Sequence, residues 1–403
     1  MISTLTRIFG PDHLELAEDV VQESLLQALQ QWPYRGVPDN PSAWIVTVAK
    51  NRALNVLRRE ALFRDRAPSL LPQPAAAAAL TLDDPFGDDQ LRMMFMCCHP
   101  SLAPEAQVAL ILKTVGGFSV PEIAGAFLLP PATIAQRLVR AKRRLREAGV
   151  DFALPASEAL PARLEAVLAA LYLLFNEGYD AHQGDDLVRR ELCAEAIRLG
   201  ELLAGHPLTR RPKTHALLAL LLLQSSRLAA RLDGDGRLLR LAEQDRAQWD
   251  QAAIRAGLYH LEQAAEGDEL SEYHLQAGIA ACHAVAVSEA STNWPAILMY
   301  YEALFALTQS PIVALNRAVA LAMVAGPRAG LAALAEIEAQ GLLPNYYLLP
   351  ACLAELYQRM GDNARAASYY RAALGLAQNA AERRFLLSQL DLINPASISI
   401  KSS

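Results

Sequence analysis

The sequence lacks any apolar segment long enough to cross a membrane, and it lacks a secretion signal. Apolar runs such as Ala216–Leu223 fall far short of the roughly 20 residues that span a bilayer. Residues 1–10 contain one arginine but no long apolar core and no small-residue cleavage site. We therefore expect no membrane segment and a cytoplasmic protein.

Cysteine is also scarce, and its spacing is irregular. Five cysteines in 403 residues do not form a disulfide framework, so we expect reduced thiols. Cys97-Cys98-His99 resembles a metal cluster, but adjacent residues of a helix point about 100° apart and cannot form one tetrahedral site. Zinc binding or redox sensing is the minor alternative, and we expect no metal and no cofactor. The cysteines are Cys97, Cys98, Cys193, Cys282 and Cys352.

The alternating pattern of β-strands is almost absent, whereas apolar residues recur at three- and four-residue steps throughout. The pattern predicts an all-α protein. From Leu14 to Trp32 it predicts an amphipathic helix that buries positions including Leu25. The opposite face of this helix is acidic and polar, with Glu15, Asp19, Gln22 and Glu23.

A second helix is predicted after a turn rich in proline and glycine, 33–41, and it should run to about Glu60. One face carries Ile45, Ala49, Ala53 and Val56, which we expect to be buried. The other face presents amides and cations: Asn51, Asn55, Arg58 and Arg59.

Proline positions and composition divide the chain. Residues 66–90 include Pro68, Pro72 and Pro74, five consecutive alanines and an acidic cluster, which is typical of a linker. Helical patterning returns over 91–150, and Pro155 and Pro161 mark a second junction. We therefore expect domains at 1–65, 91–150 and 161–403, the last made of consecutive helices.

Charge is unevenly distributed along the chain, although the net charge is only −6. Residues 1–150 contain 16 basic and 15 acidic side chains, and the remainder contains 21 and 28. Within 137–146 there are six basic residues and no acidic one. Such a local cluster is typical of nucleic-acid binding.

The segment 119–146 has the pattern of a helix-turn-helix. Ser119 is placed to cap the first helix, with Pro121 in its first turn, and 128–130 supplies the turn. The second helix should bury one apolar stripe and present a polar flank. The predicted buried stripe is Ile134, Leu138, Ala141 and Leu145.

In a helix-turn-helix the start of the second helix enters the major groove, and later basic residues meet phosphates. Thr133, Gln136 and Arg137 are therefore the candidate base readers. The alternative is an ordinary solvated basic helix of a bundle. The candidate phosphate contacts are Arg140, Lys142, Arg143, Arg144 and Arg146.

Residues 133–146 resemble the promoter −35 recognition helix of bacterial RNA polymerase sigma factors, with Thr-Ile, Arg-Leu and Arg-Ala pairs at the spacing of that family. Residues 18–23 are similar to the sigma region that binds the clamp helices of the polymerase β′ subunit, and 41–59 resemble the −10 element region. The chain is thereby identified as resembling the extracytoplasmic-function (ECF) type over residues 1 to about 150. Because Met1 lies near the middle of that family's first helix, we expect an N-terminal portion of it to be missing.

The resemblance implies a promoter-specificity subunit, not an enzyme, whose partners are promoter DNA and the β′ and β subunits of core RNA polymerase. It implies polymerase binding by Asp19, Gln22 and Glu23, and −10 recognition by the polar stripe of the second helix. Two alternatives stay open. One is a DNA-binding regulator that acts without polymerase, and the other is an enzyme or scaffold built on the C-terminal domain.

The C-terminal domain contains one segment with the offsets of a tetratricopeptide repeat, and a weaker copy around 318–334. This arrangement resembles an ECF subgroup with tetratricopeptide-like extensions, which implies a small YCII-related protein as a possible partner. For 161–290 an irregular bundle stays the alternative. The matching positions are Ala354, Tyr357, Gly361, Asp362, Ala366, Tyr370, Ala373 and Leu374.

Overall fold

The computed structural model describes residues 1–63, 85–127, 129–179, 189–231, 233, 239–377 and 380–393. In these ranges the regular elements are helices and no strand occurs, as the periodicity predicted. Packing divides the chain into two compact units, Met1–Leu173 and Leu174–Ser403, called here the N-terminal and C-terminal units.

In its described residues, the N-terminal unit contains seven complete α-helices and the start of an eighth, in which the boundary between the units falls. They are α1 (Ile2–Phe9), α2 (Leu14–Arg35), α3 (Pro41–Phe63), α4 (Pro85–Cys97), α5 (Pro104–Thr114), α6 (Val120–Phe127), α7 (Pro131–Glu147) and α8 (Leu160–Tyr179).

Helices α1, α2 and α3 share one core. Burying a Leu or Val side chain fully stabilises a fold by about 1.5–3 kcal/mol, so this cluster is sufficient to hold the three helices together. Asn40 caps α3 by accepting a hydrogen bond from the Ala43 backbone N–H at 2.9 Å. The core residues are Leu5, Ala17, Val20, Val21, Val46, Ala49 and Ala53.

Helix α2 is longer than the sequence pattern predicted. It continues through Pro33, where we expected a turn, and ends at Arg35. Near the C-terminal end, Pro33 removes only one backbone hydrogen bond, which the helix tolerates. Gly36, with a φ of 82°, then ends the helix, and its N–H donates to the Trp32 carbonyl.

Helix α4 begins inside the predicted linker, so the linker prediction is wrong for residues 85–90. Asp89, which the composition assigned to a flexible acidic segment, is fully buried. Its Oδ1 atom lies 3.1 Å from Arg7 Nε and 3.2 Å from Arg92 Nη1. These two cations offset the cost of burying the carboxylate. Residues 64–84 of the predicted linker lie outside the described ranges.

The start of α8 also belongs to the N-terminal unit, although we expected a new domain from residue 161. Val167 and Leu168 are buried, and the Arg163 guanidinium donates a hydrogen bond to the Phe95 carbonyl of α4. The unit therefore extends to Leu173.

The C-terminal unit is a succession of helices in which neighbours along the chain pack together. Helix α10 is its most enclosed element, buried from Thr214 to Leu223. The helices are α9 (Arg190–Gly205), α10 (Pro212–Ser225), α11 (Gln251–Ala264), α12 (Glu272–Val285), α13 (Trp294–Thr308), α14 (Pro311–Ala325), α15 (Pro327–Ala339), α16 (Leu348–Arg359), α17 (Asn363–Leu376) and α18 (Ala380–Ile393).

Two helical hairpins coincide with the two segments that suggested repeats. In α16–α17 the turn contains Gly361 at a φ of 81°, and Asp362 caps α17 by accepting from the Arg365 N–H at 3.0 Å. In α14–α15 a Cβ added at Gly330 would lie 2.5 Å from Ala322 Cβ, so only glycine permits this close packing. The hairpins are observed; their assignment to the tetratricopeptide family stays a prediction.

None of the helices in the described part of the chain combines the length and apolar character that a membrane crossing requires.

Candidate nucleic-acid interface

Ser119 caps the first helix of the helix-turn-helix, α6, as the sequence predicted. The Ser119 backbone N–H donates to Glu122 Oε2 at 2.7 Å, and the Glu122 N–H donates to Ser119 Oγ at 3.4 Å. This reciprocal capping box satisfies two otherwise unpaired donors. The same hydrogen bonds lower the pKa of the Glu122 carboxyl below its ordinary value. Leu128, part of the predicted turn, lies outside the described residues.

The second helix, α7, buries the predicted stripe and packs against α5 and α6. No member of this stripe is more than 4% exposed, so the remaining faces of α7 are free to carry polar side chains into solvent. The confirmed buried residues are Ile134, Leu138, Ala141 and Leu145.

The three candidate base readers lie on the first two turns of α7. Thr133 and Gln136 are exposed, whereas Arg137 is half-buried. The guanidinium carbon of Arg137 lies 5.4 Å from the centre of the Phe127 ring, a cation–π distance. Its Nη1 atom is buried and has no hydrogen-bond partner in the described protein. Stacking on the Phe127 ring therefore limits the orientations of this guanidinium. Its Nη1 donor is left without an acceptor.

The remaining arginines of the flank are exposed and only weakly engaged. Arg143 Nε lies 3.3 Å from Glu147 Oε1, and Arg144 donates to the Ser101 carbonyl at 3.2 Å. Arg140 is exposed as well. Ion pairs in water contribute at most about 1 kcal/mol, so these contacts do not prevent the arginines from reaching a phosphate.

Lys142 has a different environment from its neighbours. Its Nζ lies 2.6 Å from Glu18 Oε2, and the two side chains are 11% and 7% exposed. Arg146 Nη2 lies 3.8 Å from Glu15 Oε2 on the same helix α2. The prediction that Lys142 contacts phosphate is therefore wrong for this structure. Because Lys142 borders the apolar stripe of α7, it faces the α2 side of the unit and not the solvent.

Helix α3 presents the predicted stripe of amides and cations to solvent. Asn51, Asn55, Arg58 and Arg59 are all exposed, and their spacing of three and four residues puts them on one side of the helix. They offer hydrogen-bond donors to phosphates and to the edge of an unstacked base.

Helix α2 presents Asp19, Gln22 and Glu23 to solvent, as predicted. Glu23 is not free, because its Oε2 lies 2.5 Å from Arg52 Nη1. Arg52 Nη2 also donates to Gln27 Oε1 at 2.7 Å, and sequence reasoning missed this contact between α2 and α3.

Beside this polar face, α2 exposes three leucines, which sequence reasoning also missed. Leu25, Leu26 and Leu29 are 41%, 59% and 71% exposed. The periodicity assigned Leu25 to the core, and that prediction is wrong. A sequence signal existed, since Leu26 and Leu29 lie outside the buried stripe of the helix. Adjacent exposed leucines beside polar residues are typical of an interaction surface.

The cysteine pair near the end of α4 has no features of a reactive site. Burial raises the pKa of the Cys97 thiol to about 12 and raises that of Cys98 well above its ordinary value. Buried thiols of this kind are inert. Across the described ranges, no three His, Cys, Asp or Glu side chains are grouped so that they could hold a metal ion.

Comparison with known proteins assigns both blocks of the N-terminal unit. Residues 2–62 match sigma-70 region 2, and residues 92–145 match sigma-70, region 4. The chain is 26% identical over 153 residues to the ECF RNA polymerase sigma factor SigE of Mycolicibacterium smegmatis, covering 35% of this chain and 54% of that protein. The chain carries the two sigma-70 domains of an ECF-type RNA polymerase sigma factor.

The C-terminal unit of this sigma factor has less informative relatives. Residues 163–265 match a family of unknown function, DUF6596. An uncharacterized protein of Rhizobium meliloti (strain 1021) is 39% identical over 385 residues, covering 94% of this chain and 90% of that protein. Similarity to this relative therefore extends well beyond the two sigma regions. No solved structure matches the chain.

Proposed function

We propose that this ECF sigma factor binds core RNA polymerase and directs it to promoters by recognising their −10 and −35 elements. The observation that carries the proposal is the two-sided character of α7, whose apolar stripe is buried while Thr133, Gln136, Arg140, Arg143 and Arg144 are exposed. This helix lies within the match to sigma-70, region 4.

At the −35 element, Thr133, Gln136 and Arg137 read base edges. Arginine pairs with guanine through two hydrogen bonds in the major groove, and stacking on Phe127 holds the guanidinium of Arg137. Because Nη1 is buried, Nε and Nη2 are the donors that Arg137 offers to a base. Phosphate contacts then fix the position of the helix but carry no sequence information. They are made by Arg140, Arg143 and Arg144.

At the −10 element, the exposed stripe of α3 contacts the opened strand. Amide side chains can pair with base edges, and guanidinium groups neutralise phosphates. The exposure of all four side chains supports this role. The residues are Asn51, Asn55, Arg58 and Arg59.

The polymerase surface is the polar face of α2, Asp19, Gln22 and Glu23, with Leu26 and Leu29 beside it. Carboxylates make charge-assisted bonds to basic side chains, and exposed leucines supply apolar area that is lost from water on binding. The clamp helices of the β′ subunit are the partner of this face, and the β subunit is a second contact within core polymerase.

The domains indicate a transcription initiation factor without catalytic activity of its own. For residues 161–403 we propose a regulatory role, in which the tetratricopeptide-like hairpins bind a small protein of the YCII-related type. Stacked helical hairpins form extended surfaces that suit protein partners.

Assembly with purified core polymerase tests the proposal. The full-length protein should co-elute with core polymerase in gel filtration. In a footprint of the DNA upstream of its own coding sequence, the complex should protect two segments, separated as the −10 and −35 elements of a promoter are. A DNA-binding regulator would protect DNA without core and would not co-elute. A protein that neither co-elutes nor protects DNA would refute both functions.

A further inference from the structure

The C-terminal unit contains a cavity of about 220 Å³ between the end of α10, the segment before α11, and helices α12 and α13. Its apolar wall includes Leu223, Ile279 and Ala280, and its polar wall includes Arg227, Trp249 and His283. No carboxylate side chain lines it. The cavity is distant in sequence from both sigma regions.

Three of the polar lining residues each carry a buried nitrogen with no hydrogen-bond partner in the described protein. These atoms are Arg227 Nε, Trp249 Nε1 and His283 Nδ1. An unpaired buried polar group costs about 1–3 kcal/mol, so three of them around one cavity form a costly arrangement. Arginine Nε and the indole nitrogen can only donate, and they therefore require an acceptor.

The side chains of this wall are held in place by further contacts. Arg246 stacks on the Trp249 ring at 4.9 Å and donates to the carbonyls of His283 and Ala286 at 2.7 Å each. Trp249 is only 4% exposed. Arg227 donates to Gln224 Oε1 at 2.6 Å. The donors are thus positioned by the fold and do not have to be ordered by a ligand.

The electrostatic environment is positive. Burial, and then the charges of Arg227 and Arg246, lower the pKa of His283 to about 4, so this imidazole is neutral at pH 7. Arg227 is the charged side chain that lines the cavity, and Arg246 stacks on the lining Trp249. With no lining carboxylate, Arg227 favours an anion, and the apolar wall favours an uncharged body. A cavity of this size is smaller than the roughly 300–1,000 Å³ of sites for drug-sized ligands.

We propose that this cavity binds a small organic carboxylate with an apolar or aromatic body, and that the sigma factor is therefore a ligand-binding protein. The carboxylate accepts hydrogen bonds from Arg227 and Trp249, and the body lies against Leu223, Ile279 and Ala280. The proposal goes beyond promoter recognition, because none of these residues belongs to the proposed DNA or polymerase surfaces.

Calorimetric titration of the full-length protein tests this, with benzoate, phenylacetate and indole-3-acetate as probes and their amides as neutral counterparts. At least one carboxylate should bind with one-to-one stoichiometry, and its amide should bind at least tenfold more weakly. Sodium phosphate serves as a separate arm.

Matched variants locate the site. Arg227→Gln should weaken carboxylate binding at least tenfold, Trp249→Phe should weaken it severalfold, and Ala280→Leu should block it by filling the cavity. Arg255→Gln, at an exposed arginine of α11, should leave binding unchanged. Circular dichroism and melting temperature show whether each variant is folded, and Arg227→Lys keeps the charge if the glutamine variant is not.

Three results would overturn the proposal. The first is the absence of saturable binding by any of the carboxylates, in which case the cavity holds water only. The second is equal binding of carboxylate and amide. The third is binding with the wrong dependence on the site. This would be carboxylate binding that Arg227→Gln, Arg227→Lys and Ala280→Leu all leave unchanged, or an Arg227-dependent affinity for phosphate alone.

Discussion

Three arginines of α7 and two arginines of the C-terminal unit differ in what surrounds them. On α7 of the N-terminal unit, Arg140, Arg143 and Arg144 are exposed and make at most one weak contact each. In the C-terminal unit, Arg231 lies 4.0 Å above the Tyr179 ring and Arg246 lies 4.9 Å from the Trp249 ring. Both also donate to backbone carbonyls.

This difference separates two uses of one side chain. An exposed guanidinium retains its donors for a phosphate and exchanges water for DNA at little cost. A guanidinium stacked on an aromatic ring and bonded to carbonyls is committed to the fold. Charge counting along the sequence cannot separate these uses, because it does not reveal burial. For this reason, charge counting identified the basic cluster 137–146 but did not reveal that Lys142 within it is paired and largely buried.

The largest expected effect concerns the exposed polar face of α2. Replacing Asp19 and Glu23 by lysine should abolish co-purification with core polymerase, because like charges would then face each other across the interface. Helix content should be unchanged, since both side chains are exposed and the loss of an exposed pair such as Glu23–Arg52 costs at most about 1 kcal/mol. A pull-down of the β′ subunit measures the effect, and undiminished β′ recovery would remove this face from the polymerase surface.

The second effect separates Lys142 from the exposed arginines. Lys142→Met should destabilise the N-terminal unit by about 3–5 kcal/mol, because it leaves the buried Glu18 carboxylate without its counterion. The double variant Glu18→Leu/Lys142→Met should recover most of that loss.

Urea unfolding measures both variants, with Arg143→Met as the matched control. Arg143 lies in an exposed pair and should change stability by less than about 1 kcal/mol. A Lys142→Met variant as stable as the Arg143→Met control would show that the pair with Glu18 does not hold in solution.

A third effect depends on pH and concerns two histidines of the C-terminal unit, His260 and His283. Burial lowers the pKa values of His260 and His283 from 6.5 to about 4. The folded state therefore binds fewer protons than the unfolded state between these values. The stability contribution is fully present above about pH 6.5 and is lost as the pH falls toward 4.

Through these two histidines, lowering the pH from 7 to 5 should reduce the free energy of unfolding by about 2–4 kcal/mol. In the N-terminal unit, burial raises the pKa of Asp89, which acts in the opposite direction. The double variant His260→Gln/His283→Gln should show a much smaller change in urea midpoint over this pH range. A pH dependence that matches the unsubstituted chain would exclude these histidines as its cause.

The smallest effect tests base reading against phosphate binding on α7. Arg137→Ala should reduce discrimination between specific and non-specific DNA by about 1–3 kcal/mol. Arg144→Ala should instead weaken binding to all sequences and reduce its salt dependence. Competition binding by the polymerase complex measures the ratio, and an unchanged ratio for Arg137→Ala would remove it from the base readers.

Much of the N-terminal unit could be predicted from the sequence, because local signals and packing agree there. The Ser119 cap and the buried stripe of α7 depend on neighbouring residues in one helix, and both are confirmed. The errors concern long-range contacts. Asp89 and Lys142 are buried only because Arg7 and Glu18, distant in sequence, provide counterions.

The C-terminal unit was less predictable for a similar reason. Helical periodicity predicts a succession of helices there, but not which side chains converge between α10, α12 and α13. The cavity with Arg227, Trp249 and His283 depends on such convergence. A single sequence carries no signal for it.

Run-off transcription tests the central claim most directly. Core polymerase lacking other sigma factors is combined with the full-length protein and its own upstream DNA. The account predicts a discrete transcript that disappears with the Asp19→Lys/Glu23→Lys variant and is strongly reduced with Arg137→Ala. Absence of any transcript from a folded protein that binds core polymerase, or a transcript unaffected by both variants, would contradict it.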